Sequence, residues 1–171
     1  MIEQHFLDDC VFQLRKLRSQ ADKAMAQVDD PQFFAVIDDD ANSIALIVKH
    51  VAGNMRSRWT DFLTTDGEKP DRHRDTEFER ESGDTREAIL ARWDAGWNVL
   101  FAAITSLTPA DLGKTVTIRN EPHTVVQAIN RQLSHYSAHV GQIVLLAKHF
   151  AGQRWQTLSI PKNATKKQTG G

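Results

Sequence analysis

The sequence predicts an all-α fold, a four-helix bundle in one domain, and three observations carry that expectation. Four long segments repeat apolar residues at alternating spacings of three and four, the period of a helix with one buried face. Residues that start or stop helices stand at the ends of those segments. Only one short stretch alternates with the period of a strand. Helices of this kind are marginal alone, so their apolar stripes must pack on one another.

The first segment carries Phe6, Cys10, Leu14, Leu17, Ala21, Ala24 and Val28 on its stripe, and "DDP" at 29–31 stops it. The second runs from about Asn42, a plausible N-cap, to Leu63, with Ile44, Val48, Val51, Met55, Trp59 and Phe62 in line. The third opens at "DTRE", where Asp84 as cap and Glu87 reaching back would form a capping box. Ile89, Trp93, Trp97, Leu100, Ile104 and Leu107 make its buried face, and "TP" at 108–109 closes it. The fourth opens at "TVVQ", where Thr124 and Gln127 repeat the box spacing, and it ends at Gly152.

Two connections stand out. "KTVTIR" (114–119) alternates and is β-branched, so a short β ribbon is expected before the fourth helix. The 64–83 stretch, "TTDGEKPDRHRDTEFERESG", is charged and punctuated by Gly and Pro, and it reads as a long ordered loop between the second and third helices. Such loops in compact domains are often functional. The domain is expected to span residues 1–161, followed by a polar, mobile tail at 162–171.

Composition narrows the function. A formal net charge of −1 gives no overall bias toward nucleic acid or an anionic membrane, and neither is an expected partner. Cys10 is the only cysteine, so no internal disulfide can form and a reducing cytoplasm fits. The opening "MIEQHFLDDC" lacks the basic segment and apolar run of a signal peptide. No stretch approaches the roughly 20 apolar residues of a membrane span. A cytoplasmic, soluble protein is the expectation.

The histidines carry the chemistry. "HYSAHVGQIVLLAKH" (135–149) holds three of them in a segment that otherwise reads as a buried helix. His135 and His139 stand four apart, one turn apart on one face. That spacing is weak by itself, because chance supplies about a quarter of such a pair among seven histidines. The surroundings sharpen it. Ala128, Gln132, His135, His139, Gln142 and Leu146 line up beside the apolar stripe of the fourth helix. Ser43, Ile47, His50, Asn54 and Arg58 form a matching line on the second. Three inward histidines from two helices suit a three-nitrogen metal site. On spacing alone, three unrelated core histidines with local hydrogen bonds fit equally well. "HYSAH" lacks the glutamate that follows the first histidine in zinc-protease helices, which excludes that class.

The stretches "IVKHVAGNMRSRWTDFLTTDGEKPDRHRDTEFE", "AINRQLSHYSAHVGQIVLLAKH" and "WQTLSIPK" closely resemble the DinB/YfiT-like superfamily of four-helix metal-binding proteins. The similarity is to a bacterial branch known mainly as a domain of unknown function, and it covers nearly the whole chain. It implies a metal triad of one histidine on the second helix and a His-x-x-x-His pair on the fourth, here His50, His135 and His139. It also implies a homodimer, and a superfamily in which some members are metal-dependent transferases or isomerases using low-molecular-weight thiols.

Three neutral imidazoles leave a divalent ion at least one open position, which can lower the pKa of water or take up a thiol as thiolate. Imidazole ligation suits several metals, with zinc or nickel expected first. Asn54, one turn beyond His50, is a candidate to orient a bound group, and Arg58, another turn on, to neutralise an anionic one. A hydrogen bond within the bundle and a surface ion pair are their bland alternatives. Asp66, Glu68, Arg74, Asp75 and Glu77 are expected to brace the loop rather than act directly. His5, His73, His123 and His149 are expected to be solvated, with His73 the one whose loop could fold over the site. Cys10 reads as core. The functional expectation is a metal-dependent thiol S-transferase, with a metal-dependent hydrolase or a non-catalytic metal-binding or stress-response protein as alternatives.

Overall fold

Each of the four apolar stripes becomes a long helix. A computed structural model of the chain describes residues 2–161, which form a mostly helical protein with one small two-stranded sheet. The expected tail at 162–171 lies outside the described residues. The long helices are α1 (Ile2–Met25), α3 (Ile44–Trp59), α4 (Arg86–Thr105) and α5 (Val125–Ala151). Among the described residues no helix is long and apolar enough to cross a membrane.

The start and stop signals acted locally, with some corrections. α1 stops at Met25, before "DDP" is reached, so Val28 lies in the turn that follows; "DDP" instead begins a short helix, α2 (Asp30–Phe34), in which Asp29 is the cap and shares a capping box with Gln32. Ser43, not Asn42, caps α3 by accepting from the Leu46 N–H. That helix stops at Trp59 rather than running to Leu63, because Thr60 turns extended and Asp61 adopts a left-handed backbone. Thr85, not Asp84, caps α4. The Asp84 carboxylate is taken by the buried Lys49 ammonium, 2.7 Å away, and by the Glu81 N–H and Arg92. A buried lysine needs a counter-charge more than a helix end needs a cap. The capping box of Thr124 and Gln127 forms as the sequence predicts, and Gly152 with φ +56° ends α5.

The expected ribbon is an antiparallel hairpin of β1 (Thr115–Ile118) and β2 (Glu121–Thr124). Arg119 and Asn120 turn it with positive φ, the conformation a tight two-residue hairpin demands. The 64–83 stretch contains one short 3-10 turn, Arg74–Phe78, that packs on α3.

α3 lies along α4 and α1 along α5, with further contacts between α3 and α5 and between α1 and α4. Trp59, Trp93, Trp97, Tyr136 and Phe33 fill the interior with the aliphatic stripes. Gly96 lets α3 and α4 approach closely: a Cβ there would stand 3.2 Å from the Ala52 carbonyl. The consequence for function is positional. α3 and α5 are in contact, the 64–83 loop packs along α3 from Lys49 to Arg58, and the hairpin packs on α5.

Candidate metal centre

The polar line on α3 is buried throughout: Ser43, Ile47, His50, Asn54 and Arg58 are each no more than 5 % exposed. On α5 the facing line is graded, with Gln132 buried, His135 and His139 half-buried and Gln142 exposed. The three histidines meet between the helices. His135 Nε2 lies 3.4 Å from His50 Nε2 and 3.0 Å from His139 Nε2. Donor atoms from all three lie within 4.8 Å of one another.

Proton placement decides what such a cluster can do. His50 Nδ1 is 2.8 Å from the Glu77 carboxylate, and His139 Nδ1 is 2.8 Å from the Gln142 carbonyl oxygen. Each Nδ1 therefore donates, which leaves each Nε2 with a lone pair pointing at the cluster. His135 Nε2 carries at most one proton and can satisfy only one of these lone pairs. A cation at the centre of the cluster would relieve the residual repulsion. Two imidazole nitrogens on one tetrahedral zinc would stand about 3.3 Å apart, close to the spacings found. The donor set fits a divalent metal. Burial, with repulsion from His139 and His50, pulls the His135 pKa down to about 3, and burial also lowers that of His139. Both rings are thereby kept neutral, as ligands must be.

Glu77 does more than the loop bracing expected of it. It is not a loop brace alone but the carboxylate that orients His50, and Arg72 holds it by two hydrogen bonds of 2.9 and 2.8 Å. Burial pushes the Glu77 carboxyl up, but Arg72 and His50 outweigh it and keep the group below the usual carboxylate range. Gly53 makes the arrangement possible: a Cβ there would collide with Glu77 Oε1. Asp66 and Glu68 do brace. Asp66 accepts from the backbone N–H groups of Glu68, Arg119 and Asn120, tying the loop to the hairpin turn. Burial opposes this, yet those bonds hold the Asp66 carboxyl down at about 2. Glu68 accepts from Arg72 and Arg119. Arg74 and Asp75 are exposed and pair at 3.7 Å, so the bracing guanidinium is that of Arg72.

A cavity of about 360 Å³ opens beside His50 and His135 and is lined by Asn54, Gln132 and five arginines, two of them from the loop. Asn54 accepts from the Tyr136 hydroxyl, which in turn accepts from the Trp59 indole. Its carbonyl is thus committed to the interior, the bland role weighed for it, while the residue still borders the cavity. Arg58 is no surface ion pair. It is buried, and burial lowers its pKa. A larger cavity of about 480 Å³ lies on the other side of Glu77, against α4, and includes none of the three histidines.

His5, His73 and His149 are exposed and His123 is half-buried, and none joins the cluster. His73 borders the larger cavity instead. Cys10 is buried in the core, and burial pushes its thiol up to about 11. Sequence reasoning missed Arg72, Arg119 and Arg131. Arg131 had a signal, since it stands one helical turn before His135; the other two sit in turns with no period to betray them.

Residues 1–164 match the family described as Protein of unknown function (DUF1572), and the chain belongs to it. No curated protein and no solved structure matches the chain.

Proposed function

We propose that this member of a family of unknown function binds one divalent metal ion through His50, His135 and His139 and uses it in an enzyme reaction with a low-molecular-weight thiol. The convergence of three Nε2 atoms, two of them oriented through Nδ1 by Glu77 and Gln142, carries the reading. We also take the four long helices as a four-helix bundle of the DinB/YfiT-like type, and the working unit as a homodimer in the cytoplasm. Zinc or nickel suits three imidazoles.

When bound, the ion supplies Lewis acidity and lowers the pKa of a thiol or water that reaches it. The protein's own groups do the rest. Glu77 keeps the proton on His50 Nδ1 and fixes the ring. The loop and hairpin restrict solvent on one side. Arg58 supplies positive charge beside His50, and Asn54, held by Tyr136, presents a fixed edge to whatever enters. Cys10 is sealed in the core, so a reacting thiol must arrive from solution.

The test starts with metal analysis of the purified chain and of the variant with all three histidines replaced by Ala. Stoichiometric metal retained by that variant would rule the site out. A screen of thiols with electrophiles then asks for turnover that needs both metal and thiol. Metal-dependent turnover without thiol would indicate the hydrolase, and bound metal with no turnover the non-catalytic alternative. Light scattering in solution checks the homodimer, with a monomer mass as the contrary result.

A further inference from the structure

We propose that the cavity beside the histidines is a binding site for a dianionic phosphoryl group, carried by a small substrate of the site proposed above. Five guanidinium groups border it: Arg58 from α3, Arg72 and Arg74 from the loop, Arg119 from the hairpin turn and Arg131 from α5. No carboxylate lines it.

The surrounding charges do not balance. Glu77 is engaged by Arg72. Glu68 is shared among Arg72 and Arg119 at 3.2 Å and Arg58 at 3.6 Å. Asp75, almost fully exposed, reaches only Arg74. Arg131 pairs with no carboxylate among the described residues. Three carboxylates therefore answer five guanidinium groups, a surplus of two positive charges, and three if the exposed Asp75 is discounted. Arg58 is the sharpest sign. It is 3 % exposed, and its Nε and Nη1 have no hydrogen-bond partner. An incompletely paired buried guanidinium is costly unless something offsets it.

The surplus lies in a concave space of about 360 Å³, in the range of small-molecule sites. It is not spread over an open face, and the chain as a whole carries no basic excess. These features select a small ligand over a nucleic acid. Planar guanidinium forks match the oxygens of a phosphoryl group, and a dianion matches the surplus better than a single carboxylate does. The cavity also touches His50 and His135, so a group anchored there would hold the rest of the molecule beside the triad.

This inference rests on the metal reading only for where the substrate reacts, so the anion site is testable without metal. Inorganic phosphate is titrated by calorimetry into the full-length, metal-stripped protein at constant ionic strength, with acetate in parallel. One phosphate per chain should bind at least about tenfold more tightly than acetate. Arg119 and Arg131 are exposed enough to change without unfolding the chain. The double variant Arg119→Gln, Arg131→Gln should weaken phosphate about tenfold or more with an unchanged circular dichroism spectrum. The triple His→Ala variant should lose metal and keep phosphate. The proposal is overturned by no saturable phosphate binding, by equal affinity in the double variant, or by binding seen only with zinc loaded. Zinc bound at the triad without a phosphate site would sink this inference and leave the metal reading standing. Phosphate bound without any metal site would do the reverse.

Discussion

His50 and His139 each hold a ring in place through Nδ1, but their partners come from very different distances. Gln142 is three residues beyond His139 on the same helix, so α5 alone brings them together. Glu77 is 27 residues from His50, on a loop that must first be docked. The surroundings differ in kind as well. Gln142 is an exposed neutral amide, whereas Glu77 is a buried carboxylate gripped by Arg72 and seated against Gly53. One ring is ordered by helical geometry and the other by tertiary structure. The second arrangement costs more to build and more to lose.

Removing either ring is the largest break, and it erases the difference between them. His50→Ala and His139→Ala should each reduce retained zinc from about one per chain to near none, since two imidazoles hold the ion poorly. Elemental analysis after dialysis reads this. The contrast reappears one shell out. Glu77→Gln should lower metal affinity about 10–100-fold. It should also destabilise the fold by about 3 kcal/mol in urea, because buried Arg72 loses its main partner. If that variant bound zinc like the parent, Glu77 would be a brace and nothing more.

Gly53→Ala sharpens the same point without touching a histidine. Alanine favours a helix by up to about 1 kcal/mol over glycine, so local preference predicts a more stable protein. The clash with Glu77 Oε1 predicts the opposite, with metal affinity falling about tenfold as the carboxylate is displaced. A stabilised Gly53→Ala protein with full affinity would contradict the geometry. Gln142→Ala should cost less, under about tenfold, because water can replace an exposed amide. Equal losses from Gln142→Ala and Glu77→Gln, measured by competition with a chelating dye, would remove the distinction between the two sides.

Acid is the gentlest probe of how the loop is docked. The folded-state pKa of Asp66 is depressed to about 2 from an ordinary value of 3.8. Its contribution is therefore complete above the ordinary value and is lost as the pH falls through about 2. The stability gap between the parent and Asp66→Asn, followed by urea unfolding, should hold from neutral pH to near 4 and shrink below it. A gap that stays constant down to pH 2 would show that the Asp66 charge does not dock the loop.

The sequence by itself determined the local events. The alternating apolar spacings set the four long helices and their buried faces, because a helix rotates about 100° per residue whatever surrounds it. The Thr124 and Gln127 box formed because both of its partners lie within one turn. The alignment of His135 with His139, and of both with Gln142, follows from the same rotation. Even the inward turn of His50 was readable, since it flanks an apolar stripe.

Tertiary structure decided what lies across a gap in the chain. Asp84 looked like a helix cap by spacing, but Lys49 claimed it, because a buried ammonium without a counter-charge costs more than a missing cap. Glu77 and Arg72 looked like any charges in a charged loop until docking set one against His50 and the other against both Glu77 and Glu68. The five arginines come from two helices, a loop and a hairpin turn, and no periodicity joins them. Local geometry is repeated along the chain and can be read from it. Charge compensation in a dry interior depends on which distant segments meet, and only the folded chain decides that.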